Sequence, residues 1–110
     1  MIQCYIHSII QKYEEDLQNV KQDGFDLYLV KEQTLELCLA AVKEDGFDLY
    51  LVKEQTPEIC WAAVKQDGLA LKYVNEQTSE LCLAAVKQNR FALQFIRDLQ
   101  LREHIAHHKD

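Results

Sequence analysis

Residues 45–66 read DGFDLYLVKEQTPEICWAAVKQ and form the clearest copy of a 22-residue unit. Residues 23–44 match this unit at 18 of its 22 positions, and residues 67–88 match it at 14. A further copy begins at Asn89. Self-similarity at a fixed period of about 20 to 50 residues is typical of stacked architectures, in which one unit cannot bury its apolar side alone. We therefore predict a single all-α domain over residues 1–110, built from short helix-turn-helix repeats stacked as a small α-solenoid.

The first half of each unit predicts a short helix, at about residues 24–32, 46–54 and 68–76. The aspartate that precedes each of these helices, at positions 23, 45 and 67, can accept hydrogen bonds from the exposed amides of the first turn. In the first copy Leu27 and Val30 lie on one side of the helix, and Phe25 and Leu29 lie on the other. We therefore expect this helix to be sandwiched between apolar neighbours.

The second half of each unit predicts another helix, which starts after Thr34, Thr56 or Thr78. Threonine is a favourable N-cap residue, and the carboxylate two residues later favours the positive end of the helix dipole. Pro57 stands directly inside one of these starts, where its missing N–H costs nothing. Spacing then predicts one apolar face, with Glu36 and Lys43 pointing outward; the face comprises Leu37, Cys38, Ala41 and Val42.

The two ends of the chain depart from the repeat. Residues 1–22 are interpreted as a degenerate N-terminal cap unit of two helices, which join at the acidic segment Tyr13–Asp16. Residues 89–110 are interpreted as an extended C-terminal capping helix from about Arg90 to Ala106. The expected domain thus consists of an N-terminal cap unit at residues 1–22, three full repeats at 23–44, 45–66 and 67–88, and a C-terminal capping helix within 89–110.

A leucine-rich β/α horseshoe is the rival architecture, because residues 25–29 also alternate as a strand would and the period of 22 lies in the leucine-rich range. The third copy, from Leu69 to Val74, contains no run of β-branched residues, and the asparagine-bearing leucine-rich consensus is absent. An all-helical fold is therefore the prediction.

Charge and composition narrow the expected partners and compartment. The formal net charge is −6, and the lysines are interleaved with acids, which disfavours nucleic acid and anionic membranes as partners. No signal peptide or spanning segment is evident, so we expect a cytoplasmic protein, in the host cytoplasm if it is viral. Three cysteines recur at the repeat spacing, too far apart for disulfides, and are expected to be small buried residues: Cys38, Cys60 and Cys82. Cys4 is isolated.

No pattern predicts catalysis. Phosphate-binding loops, nucleophile elbows and zinc-protease motifs are absent from the sequence, so we expect a protein that is not an enzyme and has no cofactor. Glu36, Glu58 and Glu80 recur in register, but helix-start electrostatics explain them. A histidine cluster near the end has a spacing that can bind zinc, yet it is more simply a solvated helix end; it comprises His104, His107 and His108.

The remaining candidate is the outer surface, because the apolar core positions are nearly constant between units while other positions change. The changing positions predict an aromatic-acidic stripe that binds a protein partner. The stripe consists of Tyr28 and Tyr50, of Asp26 and Asp48 beside them, and of Lys72, which has the same register as the tyrosines. The alternative is that these rings only pack along the neighbouring helix, and Trp61, where other units have leucine, is interpreted as a groove filler. The resulting hypothesis is a non-catalytic protein-interaction module, with a self-assembling homo-oligomer as the alternative.

The segment EQTPEICWAAVKQDGLALKYVNEQTSELCLAAVKQN, residues 54–89, resembles the short helical repeats of a domain family of unknown function. That family is abundant in giant DNA viruses of the Mimivirus and Megavirus kind and also occurs in some bacteria. The resemblance covers about residues 20–96, through the AAVKQ and EQTxELC segments. It implies a helical-repeat protein of a large virus and implies no activity.

Overall fold

The structure is a computed structural model that describes residues 2–22, 26–30 and 32–107, and side chains within these ranges from residue 10 onward except that of Asp26. Every element in these ranges is helical, and no strand occurs in them, so the leucine-rich alternative finds no support. Six α-helices and three 3-10 helices follow in chain order: α1 (Ile2–Gln22), α2 (Asp26–Leu29), α3 (Leu35–Glu44), η1 (Gly46–Leu51), α4 (Pro57–Gln66), η2 (Gly68–Tyr73), α5 (Ser79–Gln88), η3 (Arg90–Phe95) and α6 (Leu99–Ala106).

The second helix of each unit forms as predicted. Thr34, Thr56 and Thr78 are the N-caps of α3, α4 and α5, and each hydroxyl oxygen accepts a hydrogen bond from the amide three residues later at 3.2–3.3 Å. Pro57 occupies the first turn of α4. The predicted apolar faces are buried on all three helices, and Glu36 and Lys43 are exposed. Local capping and periodicity therefore suffice to specify these helices.

The first helix of each unit is shorter than predicted. η1 and η2 are six-residue 3-10 helices that end at Leu51 and Tyr73, whereas the sequence predicted helices to Glu54 and Glu76. Asp45 and Asp67 do cap them as expected, accepting from the amides of Phe47 and Leu69 at 3.0 Å; Asp23 lies outside the described residues. The backbone beyond each helix is extended because a glutamine from the preceding unit binds it.

One side of the first helices is buried throughout, and the opposite side is buried only in some units. Leu49 and Leu71 are fully buried, as expected for that side. Burial of the opposite side differs between units: Leu51 of η1 is buried at 5% exposure as predicted, whereas Leu29, at the same register in α2, is 68% exposed and Phe91 of η3 is 75% exposed. Phe25 lies outside the described residues.

Both predicted terminal helices are wrong in extent. α1 runs without a joint through Tyr13–Asp16, where Lys12 and Asp16 form an ion pair at 3.1 Å one helical turn apart. The predicted helix from Arg90 to Ala106 is instead two elements, η3 and α6. The Asp98 carboxylate caps α6 by accepting from the amides of Gln100 and Leu101, which starts a new helix where the sequence pattern suggested continuity.

Helices of successive units pack against one another along the chain. α3 contacts α4, α4 contacts α5, η1 contacts η2, and η2 contacts η3. Each 3-10 helix also contacts the α-helices before and after it, so the apolar core lies between the two rows of helices. α1 packs on α3 at one end and α6 packs on η3 at the other. The molecule measures 64 × 21 × 19 Å.

Candidate interaction surface

The outer side of the 3-10 helices carries a connected group of aromatic rings and one lysine, here called the aromatic ridge: Phe47, Tyr50, Lys72, Tyr73 and Phe95. The Tyr73 ring lies 5.6 Å from Tyr50 and 6.1 Å from Phe47, measured between ring centroids. The Lys72 ammonium lies 5.6 Å from the centroid of Tyr73 and 5.9 Å from that of Phe95. These contacts join three successive units into one surface.

Of the sequence-predicted site residues, Tyr50 and Lys72 belong to this ridge. Tyr28 and Tyr50 are 59% and 57% exposed, and Lys72 is exposed as well. Asp48 is only partly buried, while the side chain of Asp26 lies outside the described residues. The residues at the register of Asp48 in later units, Ala70 and Ala92, are fully buried. The comparison of units predicts that this register faces outward because its residues change, and that prediction is wrong for these two buried alanines.

Tyr73 is the central one of three ridge residues that sequence reasoning missed, the others being Phe47 and Phe95. It joins Tyr50 to Lys72, yet it stands one position later in its unit than Tyr28 and Tyr50 do in theirs. Tyr-Leu in the first two units becomes Lys-Tyr in the third and Gln-Phe in the fourth. This shift of the aromatic residue by one position was visible in the sequence and is the signal that could have identified it.

A second surface lies at the start of the α-helices, where two grooves occupy the same register one unit apart. The groove between α3 and α4 has a volume of about 520 Å³ and is lined by Glu32, Lys53 and Glu54 among others. The groove between α4 and α5, here called the Trp61 groove, has a volume of about 270 Å³; its lining includes Pro57, Cys60, Trp61, Asn75, Glu76 and Leu81.

Trp61 stands between the Trp61 groove and a shallow cavity on the outer face of α3 and α4. The indole is partly buried and lines both. Lys65, which belongs to the shallow cavity, places its ammonium 6.0 Å from the ring centroid. The residue thus fills space, as predicted, and also presents aromatic surface to two cavities.

The repeated cysteines are buried and unpaired by disulfides, as predicted. Burial raises the pKa of the Cys38, Cys60 and Cys82 thiols above the ordinary value. Each thiol lies 3.5–3.8 Å from the side-chain oxygen of the glutamine five residues earlier, to which it donates a weak hydrogen bond. Thiols with raised pKa values are less nucleophilic at neutral pH, which suits a packing role.

In α1, the Tyr13 hydroxyl donates a hydrogen bond to the Glu36 carboxylate of α3, and this bond raises the pKa of the Tyr13 phenol.

Within the described residues, no three His, Cys, Asp or Glu side chains come close enough to hold a metal ion. His104 and His107 are described and His108 is not. No helix in the described ranges is long and apolar enough to cross a membrane.

Comparison with known proteins assigns the chain to a family. No curated protein and no solved structure matches it significantly. A family described as a domain of unknown function, DUF4116, matches residues 34–79 and again residues 56–101. The two matches are displaced by 22 residues, which is the length of the repeat. Together they span residues 34–101, more than half of the chain, and the protein therefore belongs to the DUF4116 family.

Proposed function

We propose that the chain is a non-catalytic protein-interaction module, in which the units stack as a short α-solenoid and present the aromatic ridge to a protein partner. The single observation that carries the proposal is the exposure of the ridge: Tyr50 is 57% exposed although it contacts Tyr73 of the next unit. Tyrosine is enriched among the residues that dominate binding energy in protein interfaces, because it combines apolar area with a polar group at low entropic cost.

Two structural features support the stacked arrangement. The molecule is about three times longer than it is wide, at 64 × 21 × 19 Å. Repeating contacts link helices of consecutive units, from α3 to α4 and from α4 to α5. In a stack of this kind a nearly constant core supports changing outward residues, and the changing residues determine the partner. The resemblance to repeats of giant DNA viruses favours a viral or host protein as that partner, in the host cytoplasm.

The test uses a variant on the ridge and a matched control. The partner is captured from the source cells, identified by mass spectrometry, purified, and titrated against wild type, Tyr50→Ala and Gln94→Ala. Gln94 is exposed and has the register of Tyr50 two units later, outside the ring contacts. Loss of an anchor residue costs about 2 kcal/mol or more, so Tyr50→Ala should weaken binding about thirtyfold. Gln94→Ala should leave it within about twofold.

The two dissociation constants can be compared only if both variants keep the wild-type fold. Because Tyr50 is more than half exposed, we expect the thermal midpoint of Tyr50→Ala to stay within a few degrees of wild type. Equal dissociation constants for wild type and Tyr50→Ala would refute the ridge as the binding surface.

Self-assembly is the second candidate, and two exposed apolar residues in the last unit favour it. Phe91 is 75% exposed and Leu99 is 68% exposed. Burial of such side chains in a contact with a second copy would gain roughly 25 cal/mol per Å² of apolar area. Light scattering at micromolar concentration separates the two functions. A dimer that becomes monomeric in the double variant Phe91→Ser, Leu99→Ser supports self-assembly, and a strictly monomeric wild-type protein excludes it.

A further inference from the structure

The Trp61 groove differs from the groove one unit earlier in the residues that carry its charge. The lining of the earlier groove contains two carboxylates, Glu32 and Glu54, and one cation, Lys53, which lies beside Glu54. In the Trp61 groove the same two register positions are Asn75 and Glu76. Asparagine in place of lysine therefore leaves one carboxylate and no cation in the lining, although the Arg97 guanidinium lies next to the groove and donates to the backbone carbonyl of Asn75 at 2.9 Å.

The polar groups of Asn75 and Glu76 remain available to a ligand. Among the described residues, no ion pair involves Glu76 and no hydrogen bond involves the Asn75 side chain. Gln55, by contrast, is already engaged, because its side chain binds the backbone of Tyr73 and of Asn75. The groove thus offers a carboxylate and an amide oxygen, and both are hydrogen-bond acceptors.

The aromatic wall of the groove is a second feature that the other units lack. Trp61 stands where the neighbouring units have Leu39 and Leu83. An indole attracts a cation that lies over its face, and tryptophan is the best of the aromatic side chains in this respect. Lys65 already lies over this ring from the shallow cavity, at 6.0 Å from the centroid. The Trp61 groove contains no lysine or arginine in its lining.

Size and shape then select the occupant. The groove volume of about 270 Å³ lies just below the range of roughly 300–1,000 Å³ that is usual for sites of drug-sized molecules, so it suits one side chain better than a whole ligand. A guanidinium group is planar, stacks on aromatic faces and donates several hydrogen bonds in a fork that matches a carboxylate. An ammonium group has the charge without the planar stacking surface.

We propose that the Trp61 groove binds the guanidinium group of an arginine side chain in an extended segment of a partner protein. Trp61 contacts the face of the guanidinium, while Glu76 and Asn75 accept its hydrogen bonds. This site lies on the α-helix side of the molecule and uses none of the residues of the aromatic ridge, so it is independent of the function proposed above.

The experiment uses Trp61 as its own reporter, because the chain contains one tryptophan. The intact protein is titrated with the peptide acetyl-Gly-Arg-Gly-amide, and tryptophan fluorescence is recorded. The matched control peptide replaces arginine by citrulline, which has the same shape without the charge. We expect saturation with a dissociation constant on the order of 1 mM, as suits a single side chain, and at least about fivefold weaker binding of the citrulline peptide.

Three variants locate the site. Glu76→Gln should weaken arginine binding about tenfold, because a charge-assisted hydrogen bond becomes a neutral one. Asn75→Lys restores the residue of the earlier groove and should abolish the response by supplying an internal cation. Glu54→Gln, the matched carboxylate of that earlier groove, should leave binding unchanged.

The Trp61→Leu variant completes the test. Because this variant has no tryptophan fluorescence, its binding of the arginine peptide is followed by the backbone amide chemical shifts in a nitrogen-15 NMR spectrum. Leucine is the residue that the neighbouring units carry at this position, so the fold should be retained and arginine-induced shifts in the groove should disappear. Equal binding of the arginine and citrulline peptides, or undiminished binding by Glu76→Gln, would overturn the proposal. Tyr50→Ala should bind the arginine peptide as wild type does, so failure of either proposed site is distinguishable from failure of the other.

Discussion

At the scale of single residues, Gly46 and Gly68 allow the backbones of the two helices within one unit, the 3-10 helix and the α-helix that follows it, to come close. A β-carbon added at Gly46 would lie 2.5 Å from the carbonyl oxygen of Ala63, and one added at Gly68 would lie 2.4 Å from that of Ala85. Neither glycine has a positive φ angle, so the requirement is space and not backbone conformation. In the last unit the same register is Arg90, whose guanidinium reaches the carbonyl of Ala106.

Gly68→Ala should therefore destabilise the protein by about 1–3 kcal/mol, the usual cost of overpacking a tight contact. The obstructing atom is a backbone oxygen of α5, which cannot rotate away as a side chain could. Urea unfolding measures the change. Arg90→Ala at the same register is the control and should change the unfolding free energy by less than about 0.5 kcal/mol. A Gly68→Ala variant as stable as wild type would show that η2 and α5 are not in such close contact.

The buried thiols predict how stability depends on alkaline pH. Burial raises the pKa of Cys60 in the folded state, so the unfolded chain loses its thiol protons first as pH rises past about 8.5. The unfolded state then binds fewer protons than the folded state, and the unfolding free energy falls with increasing pH. Below about pH 8.5 the buried thiol makes its full contribution to the unfolding free energy. Urea midpoints between pH 7 and pH 10 should decline above about pH 8.5, and Cys60→Ala should decline less steeply than wild type; parallel profiles would contradict this explanation.

At the scale of elements, one glutamine per unit ties the end of a 3-10 helix to the next unit. The Gln77 amide nitrogen donates to the carbonyls of Leu71 and Phe95, at 3.2 and 2.9 Å, and its oxygen accepts from the amide of Arg97 at 3.0 Å. Gln33 makes the corresponding bonds two units earlier, to the carbonyls of Leu27 and Leu51 and the amide of Lys53. These bonds engage the backbone groups through which the 3-10 helix would otherwise continue, which explains why η3 stops at Phe95.

The Gln77→Glu variant should remove the hydrogen bonds that the Gln77 side chain donates and keep the one that it accepts. The carboxylate can still accept from the amide of Arg97, but it cannot donate to the carbonyls of Leu71 and Phe95. The Phe95 carbonyl loses the Gln77 donor, while the Leu71 carbonyl keeps the amide of Val74, and we expect a cost of about 1–3 kcal/mol in unfolding free energy. Gln94→Ala is the control, because Gln94 is exposed and bonds only to Phe91 three residues away. Chemical denaturation at pH 7 compares them, and equal stabilities would show that the bridge contributes nothing.

At the scale of the whole molecule, the contacts connect units that are neighbours in sequence. α4 packs on α3 and α5, and η2 packs on η1 and η3, so the same pair of complementary faces meets at each junction between units. In such an arrangement stability is approximately a sum over units and over the interfaces between adjacent units. Removal of one interior unit should then leave two faces that fit each other.

Deletion of residues 45–66 should give a folded but shorter and less stable protein. The deletion joins Glu44 to Asp67, which re-creates the junction between adjacent units. The longest dimension should fall from 64 Å by about 10 Å, one interhelical distance. Small-angle scattering measures this length, and far-ultraviolet circular dichroism checks the helix content. An unfolded chain, or an unchanged length, would contradict nearest-neighbour stacking.

Much of this molecule was predictable because its signals are local. The threonine caps of α3, α4 and α5 and their apolar faces follow from residues within one helical turn of each other. The exposure of Tyr28 and Tyr50 followed from comparing equivalent positions between units. The pairing of Tyr73 with Tyr50 did not, because it depends on how far one unit is displaced against the next.

The sequence alone determined the 22-residue period, the all-helical class, the buried positions of the second helices and the burial of the repeated cysteines. Only the tertiary structure decided where the first helices stop, why α6 is separate from η3, and that Ala70 and Ala92 face inward. The physical reason is the range of the interactions involved. Caps and helical periodicity act within a few residues, whereas Gln77 reaches backbone groups 18 and 20 residues away and thereby ends a helix that the local pattern would continue.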